Sequence, residues 1–335
     1  MSAGWQSGPN DAITDVRGIR VGHWTDRRAA TGCTVIRCDE ATFVAVDTRG
    51  GAPGTRETEV LGPANIVRRA HAIVLTGGSA FGLASATGVM RYLSEQGVGF
   101  PTTAMRVPIV PAAVLYDLGL GKPDAFPGAE EGYVAARRAK AGKVEQGSVG
   151  AGTGATVAKL LGMEHALKGG LGTASVAGPR GFIVGAIVAT NAVGGVSDPD
   201  TGRVLAGPRA EKGRFVPLPV AMERRTAQMD ALLENTVVIC VATNAALDHH
   251  QVQRLAIQAH DGLARTVFPA HTFGDGDVAF AIAMGQVPAK PDDATVLGMM
   301  TTRAVERAII SSIRQATTLA GVPSAGDFIA SSSRR

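Results

Sequence analysis

Thr236 is the residue of this chain with the most chemistry within reach. It follows Asn235 in the run Glu234-Asn235-Thr236-Val237-Val238-Ile239-Cys240-Val241-Ala242-Thr243-Asn244. The β-branched, apolar part of that run reads as a buried strand, with Thr236 at its first position. A threonine there is stiff at χ1 and carried by a rigid backbone. Were the chain cut between Asn235 and Thr236, Thr236 would carry a hydroxyl nucleophile and a free α-amine. Such an amine has a pKa of about 7.7–8.0, so much of it is free base near neutral pH. Nucleophile and general base would then sit on one residue, one way to activate a weak hydroxyl. Taken alone, the same residues also describe a loop followed by an ordinary core strand.

Other residues join this list by type. Asp275-Gly276-Asp277 suits a turn into a strand, a metal site, or two carboxylates placed to hold an ammonium and a hydroxyl. A Ca²⁺ loop needs further oxygen ligands and a closing glutamate, and none follows. Gly77-Gly78-Ser79-Ala80-Phe81-Gly82 lies between an apolar strand, His71 to Thr76, and a helix to about Gln96. Amides at such a turn can hold an anion or oxyanion, or simply make a tight turn. It is not a phosphate-binding Walker loop, because no Gly-Lys-Ser/Thr follows. Lys159 is the one charge between Ala155 and Leu161, a pattern shared with snorkelling surface lysines.

The elements that must position these residues can be read along the chain. Residues 12–26 alternate and break at glycine like a short hairpin, and Gly32 to Cys38 and Thr42 to Asp47 read as adjacent strands. Val107 to Asp117 is apolar and contains Tyr116, Glu130 to Lys140 is helical, and Gly147 to Gly154 is a second glycine-rich loop. Thr173 to Val176 and Gly181 to Thr190 read as paired strands ending at Asn191. Residues 194–230 suit a mobile linker just ahead of Thr236. A helix from Asp248 to Ala264, a strand from Val278 to Ala283 and a final helix from Asp293 to Ala320 follow. Strands and helices come in pairs, which predicts an α+β protein with helices covering sheets rather than a simple βαβ repeat.

Composition narrows the function classes. The chain has 335 residues, 45% of them hydrophobic, enough for one large core or two small ones. Its 43 glycines and 4% aromatic content suggest close backbone packing. A formal net charge of +4, spread along the chain without a basic stripe, argues against nucleic acid as a partner. Cys33, Cys38 and Cys240 have no metal spacing, so neither a metal nor another cofactor is expected, and a reducing, cytoplasmic setting fits. The N-terminus lacks a signal pattern. Ala70 to Met90, though free of Asp, Glu, Lys and Arg, is broken by glycines, so no membrane span is expected.

Asp11 to His23, Thr76 to Gly82, Tyr116-Asp117, Lys159, Thr190-Asn191, Asn235-Thr236 and His271 to Asp277 occur in that order. In this ordered set, from about residue 10 to about 325, the chain resembles the L-aminopeptidase D-esterase (DmpA) family of self-cleaving hydrolases. That family includes β-aminopeptidases and the 6-aminohexanoate-oligomer (nylon-oligomer) hydrolases. The resemblance implies an αββα sandwich, two stacked sheets flanked by helices, of the kind shared with ornithine acetyltransferases. It implies a single domain cut by itself into a large subunit, 1–235, and a small subunit, 236–335. Thr236 would be the nucleophile, and Asp275 and Asp277 would orient its amine and hydroxyl. Lys159 would adjust the charge balance, the Asn191 side-chain amide would stabilise an oxyanion, and Tyr116, Gly78 and Ser79 would bind substrate. The assembly implied is a homo-oligomer, often a tetramer of cleaved heterodimers.

Two features separate this chain from the family's aminopeptidases. Those typically have Gly-Ser at the cut, whereas Asn235-Thr236 matches the nylon-oligomer branch. They also carry a glutamate after a Pro-Val-Val-like run, to grip a free amine. Here Pro108-Ile109-Val110 runs into Pro111-Ala112-Ala113-Val114-Leu115, without a carboxylate. The expected activity is therefore hydrolysis of linear amide bonds, 6-aminohexanoate oligomers among them, in an apolar cleft. The alternatives are an aminopeptidase, a β-peptidyl aminopeptidase or an amino-acid amidase/esterase of the same family. More remote are an acyltransferase and a non-enzymatic scaffold.

Overall fold

A computed structural model describes residues 5–224 and 235–332. Residues 225–234, which include the end of the expected linker at 225–230, lie outside the described part.

The continuous apolar runs are strands covered on both faces. Thr236–Ala246 is the middle strand of a five-stranded sheet whose order is Gly170–Ala177, Ile183–Asn191, Thr236–Ala246, Val278–Pro288, Phe43–Thr48. Alternation divides its side chains between two cores. Val237, Ile239 and Val241 pack under the helices His249–Thr266 and Asp293–Arg314. Val238, Cys240 and Ala242 face the second sheet. The neighbouring Val278–Pro288 splits likewise, with Ala279 and Ala281 on one side and Phe280 and Ile282 on the other. A strand buried on both faces has no polar positions to alternate, hence the unbroken hydrophobic pattern.

The second sheet has the order Arg20–Asp26, Thr31–Arg37, Ala72–Thr76, Ala112–Val114, Thr55–Arg56. Its inner face contributes Ile36, Ile73 and Leu75 to the layer between the sheets. Its outer face, with Val35 and Val74, packs under the helices Ser85–Glu95 and Ala129–Arg138 through Val89, Leu93 and Ala135. The layers are helix, sheet, sheet, helix, which is the expected αββα sandwich. Each buried Val, Leu, Ile or Phe contributes about 1.5–3 kcal/mol of transfer free energy.

Three expectations need correction. Thr31–Arg37 and Phe43–Thr48 are not neighbours; they belong to different sheets. The chain crosses between layers at Cys38–Thr42, where the Thr42 N–H donates to the Ala283 carbonyl of the first sheet. Thr31–Arg37 pairs instead with Arg20–Asp26, Cys33 opposite Trp24. The segment after 194 is not a bare linker: Gly195–Ser197 and Val204–Ala206 form a small sheet with Val267–Phe268, and Leu218–Arg224 is helical. Finally, the last long helix stops at Arg314, and Ala325–Ser332 is a separate short helix.

Candidate active site

Strand pairing assembles the site. In the antiparallel register between Ile183–Asn191 and Thr236–Ala246, the last residue of one strand lies opposite the first of the other: Asn191 pairs with Thr236. On its other side Thr236–Ala246 runs parallel to Val278–Pro288, and the parallel pairing extends to Asn235 and Asp275. Thr236, Asn191 and the Asp275–Asp277 segment, far apart in sequence, therefore meet at one end of the central strands. Asn235, Thr236, Asn191, Asp275 and Asp277 are all buried. An exposed cut site is thus not what the described residues present.

The main chain around Thr236 is held at several points. The Gly276 N–H donates to the Asn235 carbonyl at 2.9 Å. The Thr236 hydroxyl donates to the same carbonyl at 2.5 Å. The Val237 N–H donates to Asp277 Oδ1 at 2.7 Å. Asp277 Oδ2 accepts from the His271 N–H at 3.1 Å and lies 2.9 Å from His271 Nδ1. His271 in turn meets His260 edge-on, with ring centroids 4.8 Å apart. Asp275 Oδ2 accepts from the Thr272 N–H at 2.7 Å, whereas its Oδ1 is buried and has no hydrogen-bond partner among the described residues. Burial first, and the Asp277 charge second, push the Asp275 carboxyl above its ordinary pKa; Thr272 hydrogen bonds and the Lys159 charge oppose the shift.

Opposite this segment stands the Lys159–Asn191 pair. Lys159 Nζ donates to Asn191 Oδ1 at 3.1 Å and to the Asn191 carbonyl at 3.2 Å. Asn191 Oδ1 also accepts from the Thr156 N–H at 2.9 Å, and Nδ2 donates to the Tyr116 carbonyl at 3.0 Å. With the Thr156 hydroxyl, which donates to Oδ1 at 3.3 Å, three donors on one end and a carbonyl on the other fix the orientation of the amide. Tyr116, Asp117, Gly154, Thr156, Lys159 and Met163 line a narrow cleft here. A roomier cavity of about 690 Å³, with Arg68, His71, Phe100 and Arg106 in its wall, contains none of these residues and offers no nucleophile.

Two expectations about substrate contacts change. The Gly78 N–H donates to Asp117 Oδ1 at 2.7 Å and the Ser79 N–H to the Leu115 carbonyl at 3.0 Å, so both amides are turned inward rather than forming an anion cradle. Ala112, Ala113 and Leu115 are fully buried core, not the wall of an open cleft. Sequence reasoning also passed over residues that the structure brings to the site. The loop Arg49-Gly50-Gly51-Ala52-Pro53 clamps the aspartate segment: the Ala52 N–H donates to the Asp275 carbonyl at 2.9 Å and the Arg49 N–H to the Asp277 carbonyl at 3.0 Å. A Cβ on Gly50 would lie 2.1 Å from the Asp275 carbonyl oxygen, and one on Gly276 would lie 2.8 Å from Thr236 Oγ1. Consecutive glycines at 50 and 51 were the available signal. Among the described residues no cluster of three or more His, Cys, Asp or Glu could hold a metal ion.

Comparison with known proteins agrees with this architecture. The Burkholderia sp. beta-aminopeptidase superposes with a TM-score of 0.72 at 24% identity, covering 98% of this chain and 95% of that one. The L-aminopeptidase D-Ala-esterase/amidase of Ochrobactrum anthropi, described as a variant of the Ntn hydrolase fold, gives 0.73 at 21%, covering 95% and 90%. An uncharacterized aminopeptidase of Mycobacterium bovis is 40% identical over 344 residues, covering 95% of this chain and 98% of its own. A 6-aminohexanoate-oligomer endohydrolase of Kocuria sp. is 28% identical, covering 89% and 82%. The family model described as peptidase family S58 matches residues 11–325. The chain is thus an amide-bond hydrolase and belongs to peptidase family S58.

Proposed function

We propose that this chain is a self-processing N-terminal-threonine amidase, cut between Asn235 and Thr236 into subunits 1–235 and 236–335. The observation that carries the reading is the register that sets Thr236 opposite Asn191 and beside the Asp275–Asp277 segment. Asn235 and Thr236 are only 3% and 6% exposed. A bond so buried is out of reach of a second protease, so a cut there is made by the chain itself. After cleavage the Thr236 amine is the base for its own hydroxyl. The carboxylates of Asp275 and Asp277 orient the amine, and Lys159 balances their charge through Asn191. The intact mass of purified protein tests the cut: one fragment must begin at Thr236.

The substrate class proposed is a linear amide with aliphatic chain on both sides of the bond, 6-aminohexanoate oligomers included. The support is twofold: Asp117, the acid lining the narrow cleft beside Lys159, already accepts from Gly78 and Thr31, and the nylon-oligomer endohydrolase of Kocuria sp. is a relative. A charge-assisted hydrogen bond to an ammonium is worth about 1.5–3 kcal/mol; without one, chain burial at about 0.8 kcal/mol per CH₂ decides. An N-acetylated amide is expected to show kcat/KM at least equal to that of its free-amine twin. Loss of turnover on acetylation would replace this reading with the aminopeptidase one, favoured by the mycobacterial relative, which is called an aminopeptidase.

A cytoplasmic homo-oligomer, a tetramer of cleaved heterodimers, completes the proposal. Among the described residues, Ile66, Met105 and Phe273 are large apolar side chains left exposed, and each would gain about 1.5–3 kcal/mol if covered by a neighbouring copy. Light scattering is expected to give a mass well above the 34.3 kDa of one chain; that mass itself at micromolar concentration would contradict the assembly. No described helix is long and apolar enough to cross a membrane.

A further inference from the structure

We infer that the main-chain N–H of Gly276 is the oxyanion donor for self-cleavage, an inference that rests on the cut proposed above. In the intact chain this N–H donates to the carbonyl of Asn235, the bond to be cut, at 2.9 Å. An oxyanion donor must stay about 2.7–3.1 Å from that oxygen as it becomes the oxyanion, and this N–H already holds it before attack. The Asn191 side-chain amide makes other contacts: its Nδ2 donates to the Tyr116 carbonyl and its Oδ1 accepts from Thr156 and Lys159.

The chemistry balances without a co-reactant other than water. Thr236 Oγ attacks the Asn235 carbonyl carbon, forming a C–O bond and placing negative charge on the oxygen that Gly276 holds. Collapse breaks the C–N bond. The Thr236 nitrogen leaves as an amine, having gained the proton that the hydroxyl lost. Water then hydrolyses the ester, giving the Asn235 carboxyl group and restoring the Thr236 hydroxyl.

The position is built for this contact. The carbonyls on either side of Gly276 are tied to the 49–53 loop by the N–H groups of Arg49 and Ala52. Thr236 Oγ1 stands 2.8 Å from where a Gly276 Cβ would be, so a side chain would crowd the nucleophile. Gly276 is thus both the donor and the residue that leaves the hydroxyl room. Gly50 is a positioning residue for it, since a Cβ there would run into the Asp275 carbonyl.

The decisive experiment removes the N–H, and a matched control accounts for the weaker carbonyl acceptor that an ester also introduces. Glycolic acid incorporated at position 276 replaces the amide by an ester, and the fragment starting at Thr236 is followed by mass against time. Glycolic acid at position 77, whose buried N–H donates to the Gly32 carbonyl at 2.9 Å, is the matched control. The ester at 276 is expected to slow self-cleavage about 10²–10³-fold, the usual cost of one lost oxyanion donor. The ester at 77 should stay within a few-fold of wild type. Equal rates for both esters, fast or slow, would overturn the assignment. An uncut wild type would instead overturn the cleavage reading beneath it. If the ester at 276 prevents folding, Gly50→Ala decides: at least tenfold slower cutting with an unchanged circular dichroism spectrum is expected, and wild-type cutting would refute the inference.

Discussion

Thr236→Ala is expected to accumulate as one uncut chain with turnover reduced by about 10⁶-fold, the scale seen when a hydrolase loses its nucleophile. The substitution removes the hydroxyl while leaving the strand intact, because Thr236 contributes one small side chain at the end of an 11-residue strand. Thr236→Ser keeps the hydroxyl and should still be cut, but more slowly, since serine lacks the β-methyl group that stiffens χ1. In the cut wild type, activity should rise between about pH 6 and 9 as the α-amine loses its proton. The Asp275 and Asp277 charges favour the ammonium and move that limb up, and Lys159 moves it down. Two fragments from Thr236→Ala, or wild-type turnover by the uncut variant, would remove Thr236 from the mechanism.

Lys168→Met is expected to cost about 1–3 kcal/mol of stability above pH 7, from the carbonyl left without its donor. Lys168 is 0% exposed, and its Nζ donates to the Thr153 carbonyl at 2.8 Å and the Ala155 carbonyl at 2.5 Å. Methionine fills similar volume but donates to neither. Ala155 keeps the Gly169 N–H at 2.9 Å, so the Thr153 carbonyl carries most of the loss. Asp117 loses a positive neighbour as well.

Burial lowers the Lys168 pKa to about 7 from 10.5, against the pull of Asp117. Burial raises that of Asp117 to about 6 from 3.8, against hydrogen bonds from Gly78 and Thr31. Above pH 7 the unfolded chain holds a proton that native Lys168 has released, so stability rises with pH toward 10.5. Between 3.8 and 6 native Asp117 holds the extra proton, so stability falls as pH rises. The Lys168→Met variant should lose the upper rise and keep the lower fall. Urea unfolding at several pH values measures both; a variant as stable as wild type with the upper slope intact would show that Lys168 carries neither effect. The two residues support the site from behind, because Asp117 holds Gly78 and Lys168 holds the 153–155 turn that leads to Thr156 and Lys159.

The sequence by itself determined the elements that depend on local pattern. The unbroken run Val237 to Val241 could only be a strand covered on both faces. The helical period of Val252, Leu255, Ala256 and Ala259 could only be a helix with one buried side, and all four enter the core beneath it. The ordered motifs also placed the chain in its family, which the match over residues 11–325 shows. The tertiary structure alone decided which elements meet. No local signal says that Thr31–Arg37 and Phe43–Thr48 part into different sheets, because pairing is settled by long-range burial rather than by propensity. Lys168 gave no warning either: a lysine followed by two glycines reads as exposed, and only the backbone carbonyls folded around Nζ make its burial tolerable. Ala112 to Leu115 looked like a cleft wall because apolarity is the same in a core and in a pocket; exposure, a property of the whole fold, tells them apart. The same reason governs the candidate site. The residue types were legible at positions 159, 191, 236, 275 and 277, but the contact of Gly276 with the Asn235 carbonyl is made by a main-chain N–H. Every residue except proline has one, so only the fold could single this one out.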